Sequence, residues 1–485
     1  MPAIIFFVSS NYDYVYTYQK GDASAIVHMK GEEILVATIF AEQALLADGW
    51  QRDVRMTLAG GRIGTVETGA AAQPGDERHA IVLPGMPNLH SHAFQRGMAG
   101  LAEIRGPSSD SFWSWREVMY RFALSMTPEQ VEAVAAQLYV EMLEAGFSRV
   151  GEFHYLHHDR DGSPYANIAE MAERIAAASV ETGIGLTLLP VFYAHSGFGG
   201  APANDGQRRF INDTNRFAQL FEKCGEALKG IDGAVLGLAP HSLRAATPDE
   251  LAIVTALTSG PVHIHIAEQV KEVEDCVAWS GARPVEWLLR HADVDKSWCL
   301  IHATHMTEAE TIAMARSGAV AGLCPITEAN LGDGVFAAPL FVEHGGKYGV
   351  GSDSNVEIGL SGELRMLEYS QRLAHRARNV LATPGQSTGR ALFDAALDGG
   401  AQALGAGPAG LATGSAADFV SLDPNHPTLA GKSDDAIVDA WIFAGGGKVD
   451  CVWANGRKVV SDGAHFRRDA IAARFRNVMM ELTAT

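Results

Sequence analysis

Eight apolar runs punctuate the middle of the chain, at residues 83–92, 149–155, 185–193, 234–242, 262–268, 298–304, 319–327 and 348–353. They are rich in Val, Ile and Leu and lack polar alternation, which is the pattern of parallel strands buried on both faces. Helix-like segments separate them. Three of these open on a capping box: Thr127-Pro128-Glu129-Gln130, Thr247-Pro248-Asp249-Glu250 and Thr307-Glu308-Ala309-Glu310. The first two place Pro at the first helical position, where a missing N–H costs nothing. Eight strand–helix alternations predict an α/β fold, a (β/α)8 TIM-like barrel.

A chain of 485 residues exceeds one barrel of ordinary size. Short strand-like pieces flank it at 34–41, 43–46, 54–58 and 62–67, with turns at Asp48-Gly49 and Gly60-Gly61. The same texture returns at 418–423, 440–443, 449–454 and 458–461, with turns at Gly445-Gly446-Gly447 and Asn455-Gly456. These pieces predict one small β-sandwich built from both chain ends, residues 34–82 and 405–475, around a catalytic barrel of 83–404. Residues 1–33 are Tyr-rich and unlike the rest of the chain; a tag, a start misplaced ahead of Met29 and an extra strand are all open. The apolar run at 2–10 has no preceding Lys or Arg and is too short to span a bilayer, so neither a signal peptide nor a membrane anchor is expected.

A hydrophobic content of 47% with 20% charged residues describes a globular enzyme rather than a disordered chain. The formal charge of −19 disfavours nucleic acid and anionic membranes as partners, and an anionic substrate would need a local cationic pocket. The five cysteines are scattered, odd in number and without Cys-x-x-Cys, which reads as reduced, mostly buried thiols in a cytoplasmic protein.

The first run ends in Asn88-Leu89-His90-Ser91-His92. Residues i and i+2 of a strand share a face, so His90 and His92 can close on one ion. An isolated His-x-His is more often a surface turn. Here His265-Ile266-Ala267-Glu268, His302 and Ser352-Asp353-Ser354 end later runs in the same way. Catalytic groups of this fold sit at those C-terminal strand ends. His90, His92, His265 and Asp353 make a nitrogen/oxygen donor set suited to Zn²⁺, and also to Fe²⁺ or Mn²⁺. Spacing alone leaves His263 and His265 equivalent. A bound ion lowers the pKa of its water from ~15.7 towards ~7. Asp353 can take that water's proton, and His302 can orient it better than its neighbour His305. Gly197 to Gly206 lacks the strand-to-helix context of a phosphate loop and reads as a flexible active-site loop. Trp113 and Trp115 read as loop core.

Pro-Gly-Met-x-Asn-x-His-x-His, the strand-five and strand-six histidines and Ser-Asp-Ser resemble the amidohydrolase superfamily. More narrowly, 88–99, 111–120, 152–158, 193–210, 263–268, 298–306 and 324–334 resemble the formimidoylglutamate deiminases, with a likeness spanning roughly 34–480. That resemblance implies zinc, and its His-x-x-Glu pattern selects His265 over His263. Dinuclear members use a strand-four Lys; the run 234–241 has none, so one ion per chain is expected. It further implies Glu268 as the proton shuttle to a departing nitrogen. Arg244 and Arg116, at the catalytic end, would clamp carboxylates, with Gln95, Tyr155 and His241 as hydrogen-bonding partners of the substrate. The implied reaction converts the dicarboxylate N-formimino-L-glutamate to N-formyl-L-glutamate and ammonia, a step of histidine degradation, in a homodimer. A deaminase or chlorohydrolase acting on a ring amidine and a catalytically inactive binding barrel are the competing readings.

Overall fold

The computed structural model describes residues 15–18, 24–29, 32–105, 112–445 and 447–484. The apolar run at 2–10 and Gly446 of the triple-glycine turn lie outside the described residues. Eight parallel strand positions form the barrel: Met86–Ser91, Phe147–His154, Gly185–Phe192, the pair Val235–Leu236 and Ala239–Pro240, Val262–Ile266, Trp298–His302, Val320–Leu323 and Lys347–Val350. Strands one to four and five to eight make two hydrogen-bonded sheets. Parallel bridges Leu238–Val262 and Ser91–Asp353 join them into a closed ring. All three capping boxes are present, opening helices Pro128–Glu144, Pro248–Thr255 and Glu308–Ser317. Leu89, Cys299, Ile301 and Val320 plug the barrel interior against Ala403 and Leu404.

The expected first strand, 83–92, is two strands in different sheets. Glu77–Pro84 belongs to the sheet of the chain ends, and the barrel begins at Met86. Gly85 makes the crossing. A Cβ there would lie 2.6 Å from Ser148 Oγ, so no other residue passes without displacing strand two.

The ends form a ten-stranded sheet. Its central strands are Glu32–Leu46, Glu77–Pro84, Phe419–Leu422 and Val449–Ala454, and all pairings but that of 32–46 with 77–84 are antiparallel. Side chains from both ends share one core, Ile39, Val54, Met56 and Ile63 meeting Phe419 and Trp453. The pieces 34–41 and 43–46 are a single strand, and the expected boundary at residue 33 falls inside it. Val15–Tyr18 and Ser24–Met29 extend the same sheet.

Three expectations are corrected. Residues 440–443 are the end of helix Asp435–Phe443, not a strand. Its Ile437, Val438, Ala440, Trp441 and Ile442 are all buried, and a short apolar run carries no periodicity to separate the two states. The seventh strand stops at Leu323, because Pro325 starts helix Pro325–Leu331. Trp115 lies on helix Phe112–Ser125 rather than in a loop, and the side chain of Trp113 is outside the described part. Among the described residues no helix is long and apolar enough to cross a membrane. All five cysteines are buried and unpaired.

Candidate metal and active site

The strand ends that carry the histidines and acids are conformationally unusual. Ala267, His302 and Asp353 have φ of 51°, 66° and 46°. For non-glycine residues such left-handed backbone costs about 1–3 kcal/mol each and persists only where surrounding contacts fix it. Around Asp353 those contacts are visible. Its N–H donates to His90 O at 2.9 Å, and His92 N–H donates to its carbonyl at 3.0 Å. Asn88 Nδ2 donates to Ser352 Oγ at 2.7 Å, Ser352 Oγ to Asn355 Oδ1 at 2.6 Å, and Asn355 Nδ2 to Ser91 Oγ at 3.2 Å.

His90, His92, His265 and Asp353 are all buried, with their donor atoms within 4.8 Å of one another. His265 Nε2 and His90 Nε2 lie 3.1 Å apart, and Asp353 Oδ1 is 3.4 Å from His90 Nε2 and 3.3 Å from His92 Nε2. A tetrahedron with zinc–ligand bonds of ~2.0–2.1 Å has edges of ~3.3–3.4 Å, so these spacings fit one ion. His92 Nδ1 donates to Phe153 O at 2.9 Å and His265 Nδ1 to His241 O at 3.1 Å, which fixes the tautomer that leaves each Nε2 free as a ligand. Burial pushes His90 down to about 3 and, with the neighbouring histidines, holds His265 well below its ordinary pKa, so both rings are neutral donors. His263 is elsewhere: its Nε2 donates to Ala403 O at 2.7 Å in the barrel floor.

His302 faces the same centre. Its Nε2 is 3.9 Å from Asp353 Oδ2 and 3.8 Å from Glu268 Oε1, and its Nδ1 donates to Glu328 Oε1 at 3.3 Å. Burial opposes charge on this ring, but the carboxylates of Glu268, Glu328 and Asp353 outweigh it and carry its pKa up to about 10. Burial raises Glu268, against the pull of His302 and Arg244. Glu328 and Asp333, which accepts a hydrogen bond from Gln269 Nε2, were not expected at the site. Both lie on the segment after strand seven, and no spacing in the sequence relates them to His302. His305 is half-buried and does not line the cavity.

Above the donors opens a cavity. Gln95, Arg116, Tyr155, His241 and Arg244 all line it, together with His92, His265, Glu268, His302 and Asp353. Gln95 Nε2 donates to Tyr155 OH at 2.8 Å, while Gln95 Oε1 and Arg244 Nε are buried without a hydrogen-bonding partner among the described residues. Arg116 stacks over the Tyr120 ring at 5.5 Å. Trp115, Tyr120, Tyr193 and Phe210 complete the wall, so Trp115 belongs to the cavity rather than to a loop core. The loop after strand three borders it through Ser196, and Phe198 of that loop stacks on Trp279 at 5.5 Å.

Residues 81–459 match the sequence model of the Amidohydrolase family, and residues 36–80 match "Formimidoylglutamate deiminase HutF, N-terminal domain". A formimidoylglutamate deiminase of Pseudomonas aeruginosa is 54% identical over 92% of this chain and 100% of its own length. Among solved structures, an amidohydrolase from Brucella melitensis superposes with a TM-score of 0.90 at 65% identity, covering 92% of this chain and 99% of that one. The atrazine chlorohydrolase TrzN of Arthrobacter aurescens, complexed with zinc, shares the fold at a TM-score of 0.77 and 20% identity, covering 91% of this chain and 100% of that one. The chain belongs to the amidohydrolase family, within it to the formimidoylglutamate deiminases, and is a hydrolase acting on a C–N bond.

Proposed function

We propose that the protein hydrolyses N-formimino-L-glutamate to N-formyl-L-glutamate and ammonia, a step of histidine degradation, using one divalent ion per chain, zinc by preference, held by His90, His92, His265 and Asp353. The single observation that carries this reading is one cavity with a four-donor set at its floor and a guanidinium with a free buried Nε, Arg244, in its wall. The ion, when bound, supplies a Lewis acid and a water ionisable near neutral pH. Asp353 takes the proton of the attacking water on Oδ2, the oxygen turned towards His302, which orients that water. Glu268, kept protonatable by burial, delivers a proton to the terminal nitrogen so that it departs as neutral ammonia. Arg244 and Arg116 hold the two carboxylates, and Gln95, Tyr155 and His241 offer further hydrogen bonds.

The aromatic wall of Trp115, Tyr120 and Phe210 favours a second reading, deamination of a ring amidine. Relatives 24–28% identical are named 5-methylthioadenosine/S-adenosylhomocysteine deaminases. Ammonia release measured on formiminoglutamate and on 5-methylthioadenosine, with products identified by NMR, separates the two. Formylglutamate as the product supports the proposal; glutamate with formamide, or turnover of the nucleoside alone, overturns it. Arg244→Met should lose about 3 kcal/mol in kcat/KM for formiminoglutamate, because it strands a carboxylate in the cavity. Unchanged kinetics would move the carboxylate site elsewhere.

A further inference from the structure

The proposed mechanism leaves one nucleophilic side chain in the centre of the site unused. Cys324 directly follows the seventh barrel strand, Val320–Leu323, and is fully buried. Its Sγ, a ring nitrogen of His302 and a carboxylate oxygen of Asp353 lie within 4.8 Å of one another. The two oxygens of Asp353 face different partners. Oδ1 lies 3.4 and 3.3 Å from the Nε2 atoms of His90 and His92, whereas Oδ2 lies 3.9 Å from His302 Nε2. A carboxylate divided in this way can bridge two cations, and the ions of such pairs sit ~3.5–4 Å apart.

We propose that His302, Cys324 and Asp353 form a second cation site, inhibitory in effect and selective for a soft divalent ion such as Cd²⁺ or excess Zn²⁺. The inference rests on the reading of His90, His92, His265 and Asp353 as the resident metal site. The donors set the selectivity: a thiolate with an imidazole favours soft ions, and neither Mg²⁺ nor Ca²⁺ competes for such a set. The cation enters from the cavity, which His302 and Asp353 line. Coordination converts the Cys324 thiol to a thiolate and takes the proton from the ligating nitrogen of His302; both protons go to solvent, with no change of oxidation state. Inhibition follows from the donors consumed. His302 and the Oδ2 of Asp353 are the groups assigned to orient and deprotonate the attacking water, and a second ion would occupy both.

Full-length protein loaded with one Zn²⁺ per chain and titrated with Cd²⁺ tests this, read by the ultraviolet cadmium–thiolate charge-transfer band, by elemental analysis and by ammonia release. One Cd²⁺ should bind with zinc retained, the band should appear, and turnover should fall at least tenfold. Cys324→Ala should keep its zinc and its basal turnover, show no band, and resist Cd²⁺ by more than the ~10–100-fold typical of losing a ligand's hydrogen-bond partner. Cys324→Ser, of nearly unchanged volume, serves if the alanine variant folds poorly, and Cys299→Ala controls for thiolates outside the site. The proposal is overturned if no band appears, if Cd²⁺ displaces the zinc one for one, or if the Cys324 variants are inhibited as strongly as the parent. A protein that takes up no zinc would instead overturn the four-ligand reading beneath it.

Discussion

His265 turns its Nε2 towards His90, 3.1 Å away, while its Nδ1 is committed to the His241 carbonyl. Two residues earlier on the same strand, His263 is committed to the Ala403 carbonyl at 2.7 Å and has no part in the donor set. The two alanine variants should therefore separate. His265→Ala should lose most of the metal found by elemental analysis. His263→Ala should keep it and instead lose about 1–3 kcal/mol of stability, because a buried carbonyl is left without its donor. Equal metal loss in both would make His263 a ligand. Glu328 gives a finer test. It accepts from His302 Nδ1 at 3.3 Å and from the Cys324 N–H at 2.9 Å through the same Oε1. Glu328→Gln retains an acceptor but not the charge, and should lower kcat about 10- to 100-fold with metal content and KM nearly unchanged. Glu328→Ala should lower it further. A change confined to KM would remove Glu328 from the positioning of His302.

Among the elements, the first barrel strand shows how one backbone crossing places a site. The strand before it serves the sheet of the chain ends, and Gly85 lets the chain pass over Ser148 with no Cβ between. Gly85→Ala should destabilise the protein by roughly 1–3 kcal/mol, the usual cost of overpacking, visible as a lowered thermal midpoint. Ser148→Gly in the same chain should restore part of the loss, since Ser148 Oγ and Cβ are the atoms met first, at 2.6 and 2.8 Å. No recovery would place the strain elsewhere. The helix starts were legible because a capping box satisfies orphan N–H groups using only residues three apart. Helix 435–443 was not, because apolar residues on every side hide its period.

Across the whole molecule, the donors come from the ends of strands one, five and eight, and among the described residues the backbones of strands one and eight pair through the single parallel bridge Ser91–Asp353. An ion there ties the two edges of the barrel. Chelation should therefore lower thermal stability as well as abolish turnover. For an ion at a thousand times its dissociation constant the loss is about 4 kcal/mol, readable by calorimetry with and without chelator. A midpoint indifferent to metal would mean that the ring closes without it.

Local chemistry along the chain determined the eight parallel strands, the helix starts between them and the strand ends that bear His90, His92, His265, Glu268, His302 and Asp353, because burial on both faces and capping leave marks within a few residues. Placing Gln95, Arg116, Tyr155, His241 and Arg244 depended on longer motifs rather than on any period. Strand spacing left His263 and His265 equivalent and only the family resemblance separated them; the tertiary structure sets His265 Nε2 3.1 Å from His90 Nε2 and commits His263 to the Ala403 carbonyl. It also decided that Glu328 stands beside His302, 26 residues away in sequence, and that Trp115 and Phe210 wall the cavity. The left-handed backbone at His302 and Asp353 belongs with these. Asp and His enter that region more readily than most side chains, but it remains uncommon for both, and at Asp353 contacts from the first strand hold it once the barrel has closed.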